Sequence, residues 1–297
     1  MRSLFLVIVL ASSALAQSTS RAPVIGAGGF VSPFPLSVAP GQVVTLFLQN
    51  FGDALPSDIT AVFHQNADIP MPVLDVRGIC SGPISACAAT VRGVTVQVPY
   101  GIQTFCPLCA NPLLLTSTIT VSVKGVPSTP LGVQPLADQV HFLTQCDVIV
   151  ATTSINSTVG GLPCPPVITH ADGTPVNFSR PAKSGEELVA YATGLGEINP
   201  TPAASPTRTV FGIDFNFRPN ALATKPAANA PAPVYTGATA GFVGLYQINF
   251  TVPPIPADLA PCVDPATIVA GGNVVQSNLT VSVGSNFSFD GAGICVQ

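Results

Sequence analysis

Pro40-Gly41-Gln42-Val43-Val44-Thr45-Leu46-Phe47-Leu48-Gln49-Asn50-Phe51-Gly52-Asp53-Ala54-Leu55-Pro56 and Ser184-Gly185-Glu186-Glu187-Leu188-Val189-Ala190-Tyr191-Ala192-Thr193-Gly194-Leu195-Gly196-Glu197-Ile198-Asn199-Pro200 follow one pattern. Gly41 matches Gly185, Phe47 matches Tyr191, Gly52 matches Gly196 and Pro56 matches Pro200. Each copy reads as a glycine-containing turn, a core strand with one large aromatic, and a Gly-Pro corner. Two later blocks recur in the same order. Gln97-Val98-Pro99 parallels Thr251-Val252-Pro253, and Thr120-Val121-Ser122-Val123 parallels Thr280-Val281-Ser282-Val283. Three blocks in one order predict two copies of one β-unit, over 31–136 and 137–297.

The local pattern is that of strands. Val94 to Val98, Thr118 to Val123, Tyr246 to Val252 and Leu279 to Val283 alternate apolar and polar residues with period two. Phe211, Ile213, Phe215 and Phe217 would share one face of a strand, with Asp214, Asn216 and Arg218 opposite. Such alternation predicts antiparallel sheets with one wet face. Many short strands between Gly/Pro turns point to β-sandwiches. The 26 Gly and 31 Pro in 297 residues also argue against long helices. Residues 201–233 of the second unit include a Pro/Ala-rich run, Ala223 to Pro233, that reads as an exposed loop.

Composition narrows the function classes. With 47% hydrophobic residues and only 8% charged ones, the chain does not fit disorder. A formal charge of −4, with Arg77, Arg92, Lys124, Lys183, Arg208, Arg218 and Lys225 scattered, argues against a nucleic-acid partner.

The N-terminus carries one positive residue, Arg2, then the apolar run Leu4 to Ala11, ending in Ala14-Leu15-Ala16. This predicts a signal peptide over 1–16, cleaved before Gln17. The run is shorter than the roughly 20 residues a membrane span needs. The expectation is an exported protein with no membrane span after cleavage, and a flexible leader over 17–30. Eight cysteines in an exported chain read as disulfides. They fall as sequence-neighbouring pairs, Cys80–Cys87, Cys106–Cys109, Cys146–Cys164 and Cys262–Cys295.

No catalytic constellation emerges. Cys106-Pro107-Leu108-Cys109 is a CxxC, which elsewhere serves as a redox dithiol or half a zinc site. Here it lies in a loop between strands, with no second CxxC or paired His, and reads as a loop disulfide. His64, His141 and His170 sit in no metal or nucleophile motif and are expected at the surface or at sheet edges. His170-Ala171-Asp172-Gly173 suits a hairpin turn. Glu186-Glu187 reads as a solvated turn entering a strand, not a carboxylate pair for hydrolysis. Asn156, Asn177, Asn249, Asn278 and Asn286 begin Asn-x-Ser/Thr triplets, read as the composition of wet strand faces. Gly241-Phe242-Val243-Gly244-Leu245-Tyr246 offers either a partner patch anchored by Phe242 and Tyr246 or a bend that feeds both aromatics into the core. Core packing is the expectation.

Tyr191-Ala192-Thr193-Gly194-Leu195-Gly196, then Gly241-Phe242-Val243-Gly244-Leu245-Tyr246-Gln247-Ile248-Asn249 with Val252-Pro253, and the closing Val296-Gln297 resemble the Solibacter-type secreted C-terminal domain family, abundant in Acidobacteria. The likeness is strong over 137–297 and weaker back to 31. It implies an exported bacterial protein of immunoglobulin-like sandwiches, and it implies no activity and no catalytic residues. The extra cysteine pairs depart from the usual pattern of that family.

The expected architecture is all-β: two tandem immunoglobulin-like antiparallel β-sandwiches. The expected role is a non-catalytic module for adhesion, scaffolding or surface display, secreted or in the cell envelope, with a protein or polysaccharide partner. No catalytic, metal or cofactor-binding residue is assigned. The alternatives are a carbohydrate-binding module using exposed Tyr and Phe, weakened by the absence of Trp, and a thiol-redox protein using Cys106 and Cys109.

Overall fold

The computed structural model describes residues 24–27, 36–49, 55–78, 91–104, 117–144, 158–159, 162–163, 165–199, 205–206, 212–217, 231–262, 264, 277–284 and 291–297. Among them the chain is all-β, and its one helical element is the 3-10 turn Pro56–Asp58. The signal-peptide region and Cys80, Cys87, Cys106, Cys109, Cys146 and Cys164 lie outside the described residues, as do Phe211, Asn156, Asn286 and the Pro/Ala-rich run up to Ala230.

The strands to residue 135 are β1 Val24–Ala27, β2 Leu36–Val38, β3 Val43–Gln49, β4 Ile59–His64, β5 Asp68–Met71, β6 Val73–Gly78, β7 Val91–Gln97, β8 Ser117–Val123, β9 Val126–Pro127 and β10 Leu131–Pro135. They form two sheets, of order β1-β3-β7-β6 and β2-β10-β8-β4-β5, with β9 hairpinned onto β8. All pairings are antiparallel except β2 with β10, which is parallel. The alternation read in the sequence fixes the faces. In β8, Ile119, Val121 and Val123 are buried while Thr118, Thr120 and Ser122 are partly exposed. Inward side chains of both sheets, Leu46 and Val96 from one and Phe63, Ile119 and Val133 from the other, share one core. Each such fully buried side chain contributes roughly 1.5–3 kcal/mol.

The later strands are β11 His141–Phe142, β12 Thr158–Val159, β13 Leu162–Pro163, β14 Ile168–His170, β15 Glu187–Thr193, β16 Ile198–Asn199, β17 Ser205–Pro206, β18 Gly212–Asn216, β19 Tyr235–Ala238, β20 Tyr246–Thr251, β21 Leu279–Gly284 and β22 Gly291–Ile294. One sheet runs β11-β15-β20-β19 with β14 beside β15, and another runs β18-β21-β22. Leu188, Ile248 and Phe250 from the first meet Ile213, Val281 and Ile294 from the second in a separate core. Phe215 also joins it, its ring 6.0 Å from that of Phe250.

Two turns on different parts of the chain make the same bonds. Gly41 N–H donates to the Val98 carbonyl (3.0 Å), Gln42 N–H to Ala39 (3.1 Å) and Val98 N–H to Gln42 (2.8 Å). Gly185 N–H donates to Val252 (2.9 Å), Glu186 N–H to Lys183 (3.0 Å) and Val252 N–H to Glu186 (2.9 Å). The side chains repeat the scheme: Ala39 N–H donates to Gln42 Oε1 (2.8 Å) and Lys183 N–H to Glu186 Oε2 (2.9 Å).

Two expectations need correction. Val24–Ala27 falls in the stretch read as a flexible leader, yet it is a strand paired with β3 from Val24–Gln49 to Ala27–Leu46. Its β-branched start suits a strand, and β3 has an edge left open by β7. In β21 both faces are buried, Thr280 and Ser282 included, where a wet face was expected. Their side chains are short, and β21 is the central strand of its sheet, so the flanking strands shade them.

Candidate functional site

The described residues place the sequence-predicted candidates apart. His64, His141 and His170 sit on three different strands, β4, β11 and β14. Exposed His64 bonds through Nδ1 to Asp68 Oδ1 (2.7 Å) across the β4–β5 hairpin. His141 is half-buried and pairs with Thr193 in the sheet register. Among the described residues no group of three or more His, Cys, Asp or Glu is placed to hold a metal ion, and no helix is long and apolar enough to cross a membrane.

A polar cluster surrounds His170. This histidine is on an edge strand, as read from the sequence, but it is buried. Its Nδ1 is hydrogen-bonded to Glu186 Oε1 at 2.6 Å, and its Nε2 lies 3.2 Å from the Arg180 carbonyl oxygen. The hairpin expected at Asp172-Gly173 is present, with Gly173 N–H on His170 O and His170 N–H on Thr174 O, both 2.9 Å. Asp172 Oδ1 accepts the Thr174 hydroxyl (2.6 Å) and its N–H (3.0 Å), and Asp172 Oδ2 pairs with Arg180 (2.7 Å). The guanidinium also reaches the Thr174 hydroxyl. These bonds, the Thr174 hydroxyl first, hold the Asp172 carboxyl well below the usual carboxylate range.

Chemically the cluster is a staple. The imidazole bridges Glu186 and the Arg180 carbonyl, which ties the β14 hairpin to the turn that enters β15. Glu186, read from the sequence as a solvated turn residue, reaches 16 positions back to fix the β14 hairpin. Burial pushes its carboxyl up, but hydrogen bonds from His170 and the Lys183 N–H outweigh this and lower it from 4.5. A lowered folded-state pKa stabilises the fold above the unfolded value, and that contribution is lost as pH falls through the folded value. Urea midpoints of the native protein are therefore expected to drop below about pH 4.5. Glu186→Gln should flatten that part of the profile, and an unchanged profile would remove Glu186 from the acid response.

The Asn triplets also find structural uses. Asn278 is buried, accepting from Val296 N–H (2.8 Å) and donating to the carbonyls of Val296 (2.8 Å) and Ala260 (3.0 Å). Asn177 accepts from the N–H groups of Ser179 and Arg180, and Asn249 donates to Glu187 (2.8 Å). The Gly241–Tyr246 stretch divides. Tyr246 is buried in the second core, whereas Phe242 stays 64% exposed. Phe242 lies in the loop between β19 and β20, where strand alternation does not act on it. Tyr100, Phe178 and Tyr235 are exposed aromatics as well.

No protein-family model matches the chain, and no curated protein matches it. Among solved structures it is similar to a type I pullulanase from Bacillus subtilis strain 168 complexed with maltose, at 10% identity and a TM-score of 0.19. The match covers 90% of this chain and 28% of the pullulanase. A likeness of that size carries no argument about activity.

Proposed function

We propose that the chain is an exported, non-catalytic module of two immunoglobulin-like units in tandem, related to the Solibacter-type secreted C-terminal domains and serving adhesion, scaffolding or surface display. The twin turns at Gly41 and Gly185, with matching backbone and side-chain bonds, carry the two-unit reading. Strand order supports it. The orders β1-β3-β7-β6 and β10-β8-β4 follow the A-B-E-D and G-F-C sheets of immunoglobulin domains. The second set repeats this, with β15-β20-β19 as B-E-D and β18-β21-β22 as C-F-G. The parallel pairing of β2 with β10 also has a counterpart in the parallel bridge between Ala182 and Val296.

The step from these units to adhesion is an analogy between folds. It is supported by the structural employment of His170, Glu186, Asn278 and Asp172. A pull-down from native cell envelope with the mature chain should recover a protein or polysaccharide partner, and recovery of none overturns the role. Exposed Phe242, Tyr235, Phe178 and Tyr100 favour a second reading, a carbohydrate-binding module. A glycan array without hits would dismiss it.

A further inference from the structure

The segment joining the two cores, residues 136–140, is not the exposed linker that separates independent units. Leu136, Asp138, Gln139 and Val140 are all buried. The segment is held at both ends: Leu136 N–H donates to the Val38 carbonyl (2.7 Å), and Gln139 N–H donates to the Gly194 carbonyl (2.8 Å). Gly194 has φ +74°, and a Cβ there would collide with the Gln139 carbonyl. A Cβ on Gly196 would collide with that of Ala137. Both positions therefore need glycine for backbone approach.

A second contact lies beside the first. Gly244 has φ +68°, and a Cβ there would sit 2.6 Å from Val43 Cγ2 and 2.8 Å from the Gly41 carbonyl oxygen. The Tyr100 ring lies over Gly41, which holds a φ of +71°. Tyr246 donates its hydroxyl to the Gly196 carbonyl (3.2 Å) and lies 3.4 Å from the Tyr100 hydroxyl. Gly101 N–H donates to Glu197 Oε1 at 2.5 Å. Burial, then the neighbouring Tyr100 and Glu197, push the Tyr246 phenol up.

We propose that residues 194–197 and 241–246 form a docking surface for the glycine turn and Pro-Tyr-Gly corner of a preceding β-unit, here Gly41–Val43 and Pro99–Gly101 of the same chain. The Gly-Leu-Gly and Gly-Phe-Val-Gly-Leu-Tyr stretches, prominent in the sequence, thus act at a joint that makes the two units one rigid body. Selectivity comes from shape and polarity: glycines let backbones touch, and Glu197 needs an N–H donor opposite. The proposal rests on the two-unit reading. Its test reads the joint itself, so a failed search for an adhesion partner leaves it standing.

The mature full-length chain is compared with Gly244→Val and with the double variant Tyr100→Ala/Glu197→Ala by hydrogen exchange and small-angle X-ray scattering. Tyr100 and Glu197 belong to neither core, so the double variant decides should Gly244→Val fail to fold. The decisive reading is the radius of gyration, because the bond from Gln139 to Gly194 lies within the second unit and can survive an open joint. Opening the joint should enlarge the radius of gyration, with the amides of β8 and β21 still protected. Scattering unchanged in the double variant, or loss of protection spread evenly through both cores, would overturn the proposal.

Discussion

Phe250→Ala is expected to destabilise the protein by about 3–5 kcal/mol, the range for deleting a buried phenyl ring. Phe250 lies on β20, is 1% exposed, and faces Ile213, Val281 and Ile294 across the second core. Its cost joins the lost transfer energy to a cavity that strands pinned on both sides cannot collapse. β20 is such a strand, with β15 on one edge and β19 on the other. Phe215 would lose its aromatic neighbour, so a Phe215/Phe250 double-mutant cycle should show coupling of roughly 0.5–1.5 kcal/mol. Phe242→Ala, eight positions earlier on the exposed loop, should stay within about 0.5 kcal/mol. Guanidinium midpoints at fixed m-value measure both. Similar losses at the two positions would mean that β20 does not bury the face carrying Tyr246, Ile248 and Phe250.

That contrast marks how far the sequence could be read. Period-two alternation was enough to place Ile119, Val121, Ile248 and Phe250 inside, because successive side chains of a strand must face opposite ways. The glycine turns were legible for a similar reason: Gly41 and Gly185 occupy positive φ, at +71° and +80°. Phe242 departs from the expected core packing because it lies in the loop before β20, whereas Tyr246 begins that strand. The His170–Glu186 pair was missed because the register of β14 against β15 sets it, and neither residue announces the other. The joint was hidden more deeply. A Gly-Leu-Gly run shows that the backbone is tightly used, but not which carbonyl it touches. Only the folded chain brings Gln139 and Ala137 onto Gly194 and Gly196. Buried Thr280 and Ser282 are not legible in the alternation, because a polar side chain on a strand marks a wet face only where nothing packs over it.

The second large effect is expected at the C-terminus. Cys262 and Cys295 lie at disulfide distance, with Cα atoms 5.5 Å apart across 33 residues of chain, as their sequence order predicted. Closing a loop of that length removes denatured-state entropy worth about 3–4 kcal/mol. A Cys262→Ser/Cys295→Ser variant should lose that amount in denaturant unfolding. Substitution confines the loss to one pair, whereas a reductant reaches all eight cysteines. The same entropy argument ranks the pairs: a Cys106–Cys109 bond, as expected from the sequence, would close a far shorter loop, and its removal should cost about half as much. The native end should nevertheless stay docked. Asn278 bonds both the N–H and the carbonyl of Val296, and Ala182 bonds to Cys295 and Gln297 on the other side. The variant should therefore unfold at lower denaturant while the Val296 amide remains protected in its absence. Equal losses for the 33-residue loop and the Cys106–Cys109 loop would refute the entropic account. Rapid exchange at Val296 would mean that the sulfur bridge, and not the Asn278 hydrogen bonds, holds the last strand in place.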